Sequence, residues 1–164
     1  VHEEARAYVE AHRTDEALAV LEVGGRQING GVRDLFPNAT PYVSLDIAEG
    51  DAVDIVANAA TWTPDRLYDL VVCTEVFEHT PEWPEILATM AKACRPGGRL
   101  VLTMAGPGRS PHGASGGPHE PNEHYANVEP DHLRAQLATT GWTNVQVDYL
   151  HPPGDTRATA TREA

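Results

Sequence analysis

The sequence predicts an α/β fold built on a largely parallel sheet. Three observations carry that expectation. Short apolar, β-branched runs recur at strand length, as in Tyr68-Asp69-Leu70-Val71-Val72-Cys73. Segments with helical spacing fall between them. Each run ends on a glycine, an acid or a small polar residue, as strands feeding a ligand crevice do.

Residues 2–13 are expected to form an N-terminal helix, with Ala5, Tyr8, Val9 and His12 on one side. Thr14-Asp15 interrupts it, so residues 1–16 read as a helical preface to the sheet. Residues 17–23 are the first buried parallel strand, closing on Glu22-Val23-Gly24-Gly25. A short helix is expected from Asn29 to Leu35, with Asn29 as its cap. Further strands are expected at 41–46, ending on Asp46, at 52–57, at 68–73 and at 98–105. Between the last two, residues 84–94 place Ile86, Leu87, Met90, Ala91 and Cys94 on one helical face. Arg95-Pro96-Gly97-Gly98 then stops the helix and turns the chain.

Residues 106–127 break the rhythm, holding Gly106, Gly108, Gly113, Gly116 and Gly117, four prolines, and His112, His119 and His124. The stretch has no apolar period and reads as a long active-site loop. A helix at 130–140 comes next, entered by Pro130 and closed by Gly141. Residues 144–150 and 156–161 alternate like strands, and the link at 151–155 makes an antiparallel hairpin. One domain over 1–164 accommodates all of this.

Composition removes some functions. The 12 basic and 24 acidic residues give a net charge of −12, with no basic stripe for a phosphate backbone, so no nucleic-acid partner is expected. No apolar run reaches the roughly 20 residues a bilayer requires, so no membrane partner is expected either. The acidic, polar start at Val1-His2-Glu3-Glu4 is unlike a secretory signal. Cys73 and Cys94 lie in apolar segments and read as small buried hydrophobes, which suits a cytoplasmic location. Trp62, Trp83 and Trp142 read as packing. His112, His119, His124 and His132 lack tight ligand spacing, so no metal is expected.

The candidate site gathers the residues just past the strand ends. Glycines at 24 and 25 let the backbone turn and a ligand come close. Asp46, 24 residues after Glu22, can accept two ribose hydroxyls. Asn58 offers the donor and acceptor an adenine edge requires. Glu75 can face a ligand amine, a cationic sulfur or the substrate. Glu75 and Glu78 also suit a helix entry, and His79 can be a structural residue there.

Together, Leu21 to Gly24, Tyr42 to Ile47, Asp54 to Ala59, Tyr68 to His79 and Leu87 to Leu102 resemble class I S-adenosylmethionine (SAM)-dependent methyltransferases, in particular the type 11 group. The similarity runs from about residue 17 to 105 and continues more loosely to the final hairpin. It implies a Rossmann-like three-layer sandwich with a mostly parallel seven-stranded sheet and a final antiparallel strand. It also implies SAM as cofactor, S-adenosylhomocysteine as product, and methyl transfer to a small-molecule acceptor. By the resemblance, Glu22, Gly24 and Gly25 form the first motif around the methionine portion. Asp46 holds the ribose and Ile47 packs on the adenine. Asn58 and Ala59 reach its edge. Thr74 and Glu75 line the floor beside the methyl.

His79 and His124 are the candidate general bases. The chain departs from the usual alternating glycines, since 26 is Arg and 28 is Ile, with glycines only at 30 and 31. That departure keeps a non-catalytic SAM-fold scaffold open as an alternative. A nicotinamide-dependent oxidoreductase fits less well, because the GxGxxG turn is absent.

Overall fold

A computed structural model describes residues 1–164. Seven strands form one sheet in the order β3-β2-β1-β4-β5-β7-β6. They are β1 (Val20–Val23), β2 (Tyr42–Asp46), β3 (Ile55–Val56), β4 (Tyr68–Thr74), β5 (Cys94–Ala105), β6 (Trp142–Leu150) and β7 (Asp155–Arg162). β1 to β5 are mutually parallel. β7 runs antiparallel to both β5 and β6. The fold class and its antiparallel strand are as the sequence predicts.

Three helices cover the sheet: α1 (Glu3–Ala11), α2 (Trp83–Ala93) and α3 (Pro130–Thr139). Strand alternation divides the core into two layers. Leu21, Val23, Val71, Cys73, Leu100 and Leu102 pack with Ile86, Leu87 and Met90 of α2 and Leu133 and Leu137 of α3. Val20, Leu70, Val72 and Val101 face the other way, against Tyr8 and Val9 of α1 and the segment Val32, Leu35 and Phe36. Successive residues of one strand thus feed opposite layers. Burying a Leu or Val this way is worth about 1.5–3 kcal/mol per side chain. Cys73 and Cys94 are free and buried. Trp83 stacks on Phe77 at 5.4 Å between ring centroids.

Four local expectations change. The helix expected over residues 29–35 is a single 3-10 turn at Arg33–Leu35, and Asn29 caps nothing. Gly30, at φ +86°, and the adjacent Gly31 hold the chain out of helix, and Phe36 and Leu35 seal the sheet instead. The strand expected at 52–57 shortens to Ile55–Val56, one of the two edge strands. The strand expected from residue 17 begins at Val20. The Arg95-Pro96-Gly97-Gly98 turn is absorbed as a bulge at the start of β5, where pairing jumps from Tyr68↔Cys94 to Leu70↔Arg99.

Candidate functional site

The carboxyl ends of β1, β2 and β4 border a cavity of about 530 Å³. Ligands of open parallel sheets bind at this place, where the strand order reverses, here between β1 and β4.

The β1 turn is packed from beneath. Gly24 sits at φ +79°, and a Cβ there would lie 2.1 Å from Val76 Cγ2. A Cβ on Gly25 would lie 2.0 Å from Ser44 Oγ and 2.9 Å from Glu22 Oε2. Both glycine N–H groups donate to Leu45 O, at 2.8 and 3.2 Å. Gly24 lines the cavity, while Gly25 and Glu22 stand behind it. Glu22 is buried and accepts the Tyr42 hydroxyl proton at 2.8 Å. Burial raises its pKa, opposed by the Tyr42 hydrogen bond. In this structure Glu22 braces the turn.

Asp46 closes β2. Its Oδ2 accepts the Arg26 N–H at 3.1 Å and its Oδ1 the Ala48 N–H at 3.0 Å. These bonds fix the carboxylate at the cavity wall and leave further lone pairs for ligand hydroxyls. The next residue, Ile47, is 70 % exposed and lines the same wall. An exposed isoleucine with no protein partner is suited to packing on a flat apolar ligand face. Asn58 and Ala59 also line the cavity. The Asn58 side chain is engaged, accepting from Ala60 N at 2.9 Å and donating to Glu82 Oε2 at 3.3 Å. Thr74 is buried with an unpartnered hydroxyl.

Glu75 follows β4 at φ +57°, a strained conformation for a non-glycine residue. Its N–H is tied to Thr103 O at 2.8 Å, and its Oε1 accepts the Thr103 hydroxyl at 3.1 Å. Its Oε2 faces Arg109 Nη2 at 3.4 Å and His2 Nδ1 at 3.3 Å. Arg109 also pairs with the buried Asp155, which holds His2 Nε2 at 2.8 Å. Burial opposes charging of His2, but hydrogen bonds to Asp155 and Glu75 outweigh it and raise the pKa to about 9. Two carboxylates and two cationic groups thereby lock residues 106–109 onto the end of β4, the start of β7 and the start of α1.

That lock positions the long loop. Arg109, His112, Gly113, Ala114 and Gly116 all line the cavity opposite the strand ends. His79 lines it too, at the end of a 3-10 turn, Phe77–His79. Its ring meets His112 edge-on at 5.0 Å and Tyr125 at 5.6 Å. Burial lowers the His79 pKa to about 4, helped by His112. His124 is exposed and does not line the cavity; the structure brings His112 to the place where a loop imidazole was expected. Glu78 is fully buried beside this pair, and burial, with the charge of Glu75, raises its pKa.

Sequence reasoning missed Arg109, Asp155 and His2, whose meeting rests on separations of 46 and 153 residues. It also missed that His112 joins His79. The one sequence signal was the accumulation of His and Gly in residues 106–127.

A methyltransferase domain family matches residues 4–147. The ubiquinone biosynthesis O-methyltransferase of Aeromonas salmonicida is 43 % identical over 44 residues, which are 27 % of this chain and only 18 % of that protein. Among solved structures, a DhpI complex with S-adenosylhomocysteine superposes with a TM-score of 0.72 at 22 % identity, covering 98 % of this chain and 84 % of that one. Burkholderia thailandensis 1,6-didemethyltoxoflavin-N1-methyltransferase, with its substrate and S-adenosylhomocysteine bound, gives 0.73 at 15 % identity, covering 99 % and 78 %. Haemonchus contortus phosphoethanolamine N-methyltransferase 2 gives 0.75 at 12 %, covering 98 % and 52 %.

Proposed function

We propose SAM-dependent methyl transfer to a small-molecule acceptor as the function of this chain, which belongs to the methyltransferase domain family. One observation carries the reading. Asp46, Ile47, Asn58, Ala59, Thr74 and Glu75, from the ends of three successive strands, all line one cavity with the Gly24 turn. Related folds hold S-adenosylhomocysteine or small acceptors, as their structures with these molecules indicate.

The residues fit the cofactor. A ribose diol suits the fixed carboxylate of Asp46, and an adenine ring suits exposed Ile47. Gly24 lets the turn sit at positive φ against Val76, which keeps the backbone at the cavity wall. The irregular glycine spacing is no obstacle, because Gly24 and Gly25 alone occupy the crowded positions beside Val76 and Ser44. With the expected helix gone, the chain near Asn29 meets the loop at Gly116 instead.

Bound SAM would supply a methyl group already activated by its sulfonium. The chain's own task is alignment and exclusion of water. Arg109, anchored through Asp155, holds residues 106–116 across the cavity mouth and so narrows the space left for an acceptor. His79 and His112 stand at the wall where a nucleophile would enter, in position to contact and orient it. The cavity of about 530 Å³ must hold cofactor and acceptor together, which favours a small acceptor. Free, buried Cys73 and Cys94 support a cytoplasmic setting.

Incubation with methyl-labelled SAM and a panel of small hydroxyl, amine and carbon acceptors tests the activity. Formation of S-adenosylhomocysteine with a labelled product supports it. Tight SAM binding without turnover on any acceptor would favour the non-catalytic scaffold.

A further inference from the structure

Glu78 presents a physical problem that methyl transfer does not solve. Its side chain is fully buried, and neither carboxylate oxygen makes a hydrogen bond. The backbone amides of Glu78 and Ala105 approach it without completing one. A buried carboxyl with no partner costs several kcal/mol in an ordinary protein interior. Beside it, Nδ1 of His79 is also buried and unpartnered. From the loop, His112 Nε2 points at Glu78 Oε1 from 3.9 Å.

Three further facts turn this cluster into a donor set. One ligand atom from each of Glu78, His79 and His112 lies within 4.8 Å of the others. His112 Nδ1 lies 3.2 Å from Ser110 O, so the ring proton sits there and the Nε2 lone pair is directed at Glu78. The Tyr125 hydroxyl donates to the same carbonyl at 3.2 Å, and its ring packs edge-on against both imidazoles. The second acid–histidine cluster in the molecule, His2, Glu75 and Asp155, differs. There Arg109 already neutralises the carboxylates.

We infer that Glu78, His79 and His112 form a divalent transition-metal site of the Zn²⁺ or Fe²⁺ type at the acceptor wall of the cavity. Two imidazoles and one carboxylate suit such ions, whose ligand distances are about 2.0–2.2 Å. Drawing the three donor atoms to those distances requires movement of about 1 Å, and His112 rides on a loop that can supply it. The ion satisfies the orphaned carboxylate and imidazole together. It also keeps coordination positions open toward the cavity that His79 and His112 line. That last step, contact with an acceptor oxygen, rests on the methyl-transfer reading; the metal site itself does not.

The test uses tag-free, chelator-treated protein without SAM, titrated with Co²⁺ and read by its visible d–d absorption. The wild type is expected to gain these bands to one equivalent and to lose them on adding Zn²⁺. His112→Ala, on the surface loop, and Glu78→Gln, which keeps the shape, are each expected to abolish them. His2→Ala is expected to leave them intact. Absence of bands in the wild type overturns the proposal. So does their survival in both His112→Ala and Glu78→Gln, or their loss in His2→Ala alone. S-adenosylhomocysteine binding, measured separately on the metal-free protein, shows whether the cofactor reading stands when the metal site does not.

Discussion

The two walls of the cavity are built in opposite ways. On the strand side, Gly24, Asp46, Ile47, Asn58 and Thr74 each sit at or just past the end of a parallel strand, and sheet pairing alone places them together. On the loop side, Arg109, His112 and Tyr125 reach His79 and Glu75 through ion pairs and ring contacts that span residues with no shared element. The strand wall is pre-organised by the core; the loop wall is as secure as the few polar contacts holding it. A constant cofactor suits the first wall and a particular acceptor the second.

Substitutions separate the walls. The largest expected effect lies on the strand side. Gly25→Ala would drive a methyl against Ser44 Oγ at 2.0 Å. Overpacking of that kind costs about 3 kcal/mol, or roughly 6–12 °C in melting temperature. Thermal unfolding measures it, and an unchanged melting temperature would mean the turn is slack.

Arg109→Ala comes next, on the loop side. It leaves Asp155, fully buried, with His2 as its remaining partner. The expected loss is about 2–3 kcal/mol, with a further fall in turnover but a smaller change in S-adenosylhomocysteine affinity. If affinity fell as much as turnover, the two walls would be one unit and the comparison would fail.

Ile47→Ser should weaken S-adenosylhomocysteine binding by about 1 kcal/mol, near fivefold, through lost apolar contact. It should leave stability unchanged, since Ile47 is exposed without ligand. The smallest effect is a pH dependence. His2 faces Glu4, Glu75, Asp155 and Arg109, and its pKa is raised to about 9. A raised histidine pKa stabilises fully below the unfolded value near 6.5 and loses that contribution as pH rises through about 9. His2 is partly exposed, so the contribution is roughly 1 kcal/mol. Denaturant unfolding between those limits should slope downward in the wild type and run flatter in His2→Ala.

The same contrast explains what was legible in the sequence. Asp46, Asn58 and Glu75 could be read because each comes after an apolar run whose length and composition already say strand. The wall they make results from parallel order. The helix expected after Asn29 could not be read correctly, because polar Asn and apolar Ile28, Val32 and Leu35 imitate helical spacing while Gly30 and Gly31 veto it. The loop wall was invisible for a different reason. His112 meets Glu78 across 34 residues, and no local spacing records a contact made by folding a glycine-rich loop back onto the sheet. The sequence pointed to His124 and not to His112, and only the path of the loop distinguishes them.

The central claim is that the strand wall binds the cofactor through Asp46. Calorimetric titration of the wild type and of Asp46→Ala with S-adenosylhomocysteine tests it most directly. The expected result is saturable binding by the wild type and a loss of about 100-fold or more in the variant, as removal of two hydrogen bonds to a charged acceptor implies. No binding by the wild type, or equal binding by both proteins, would contradict it.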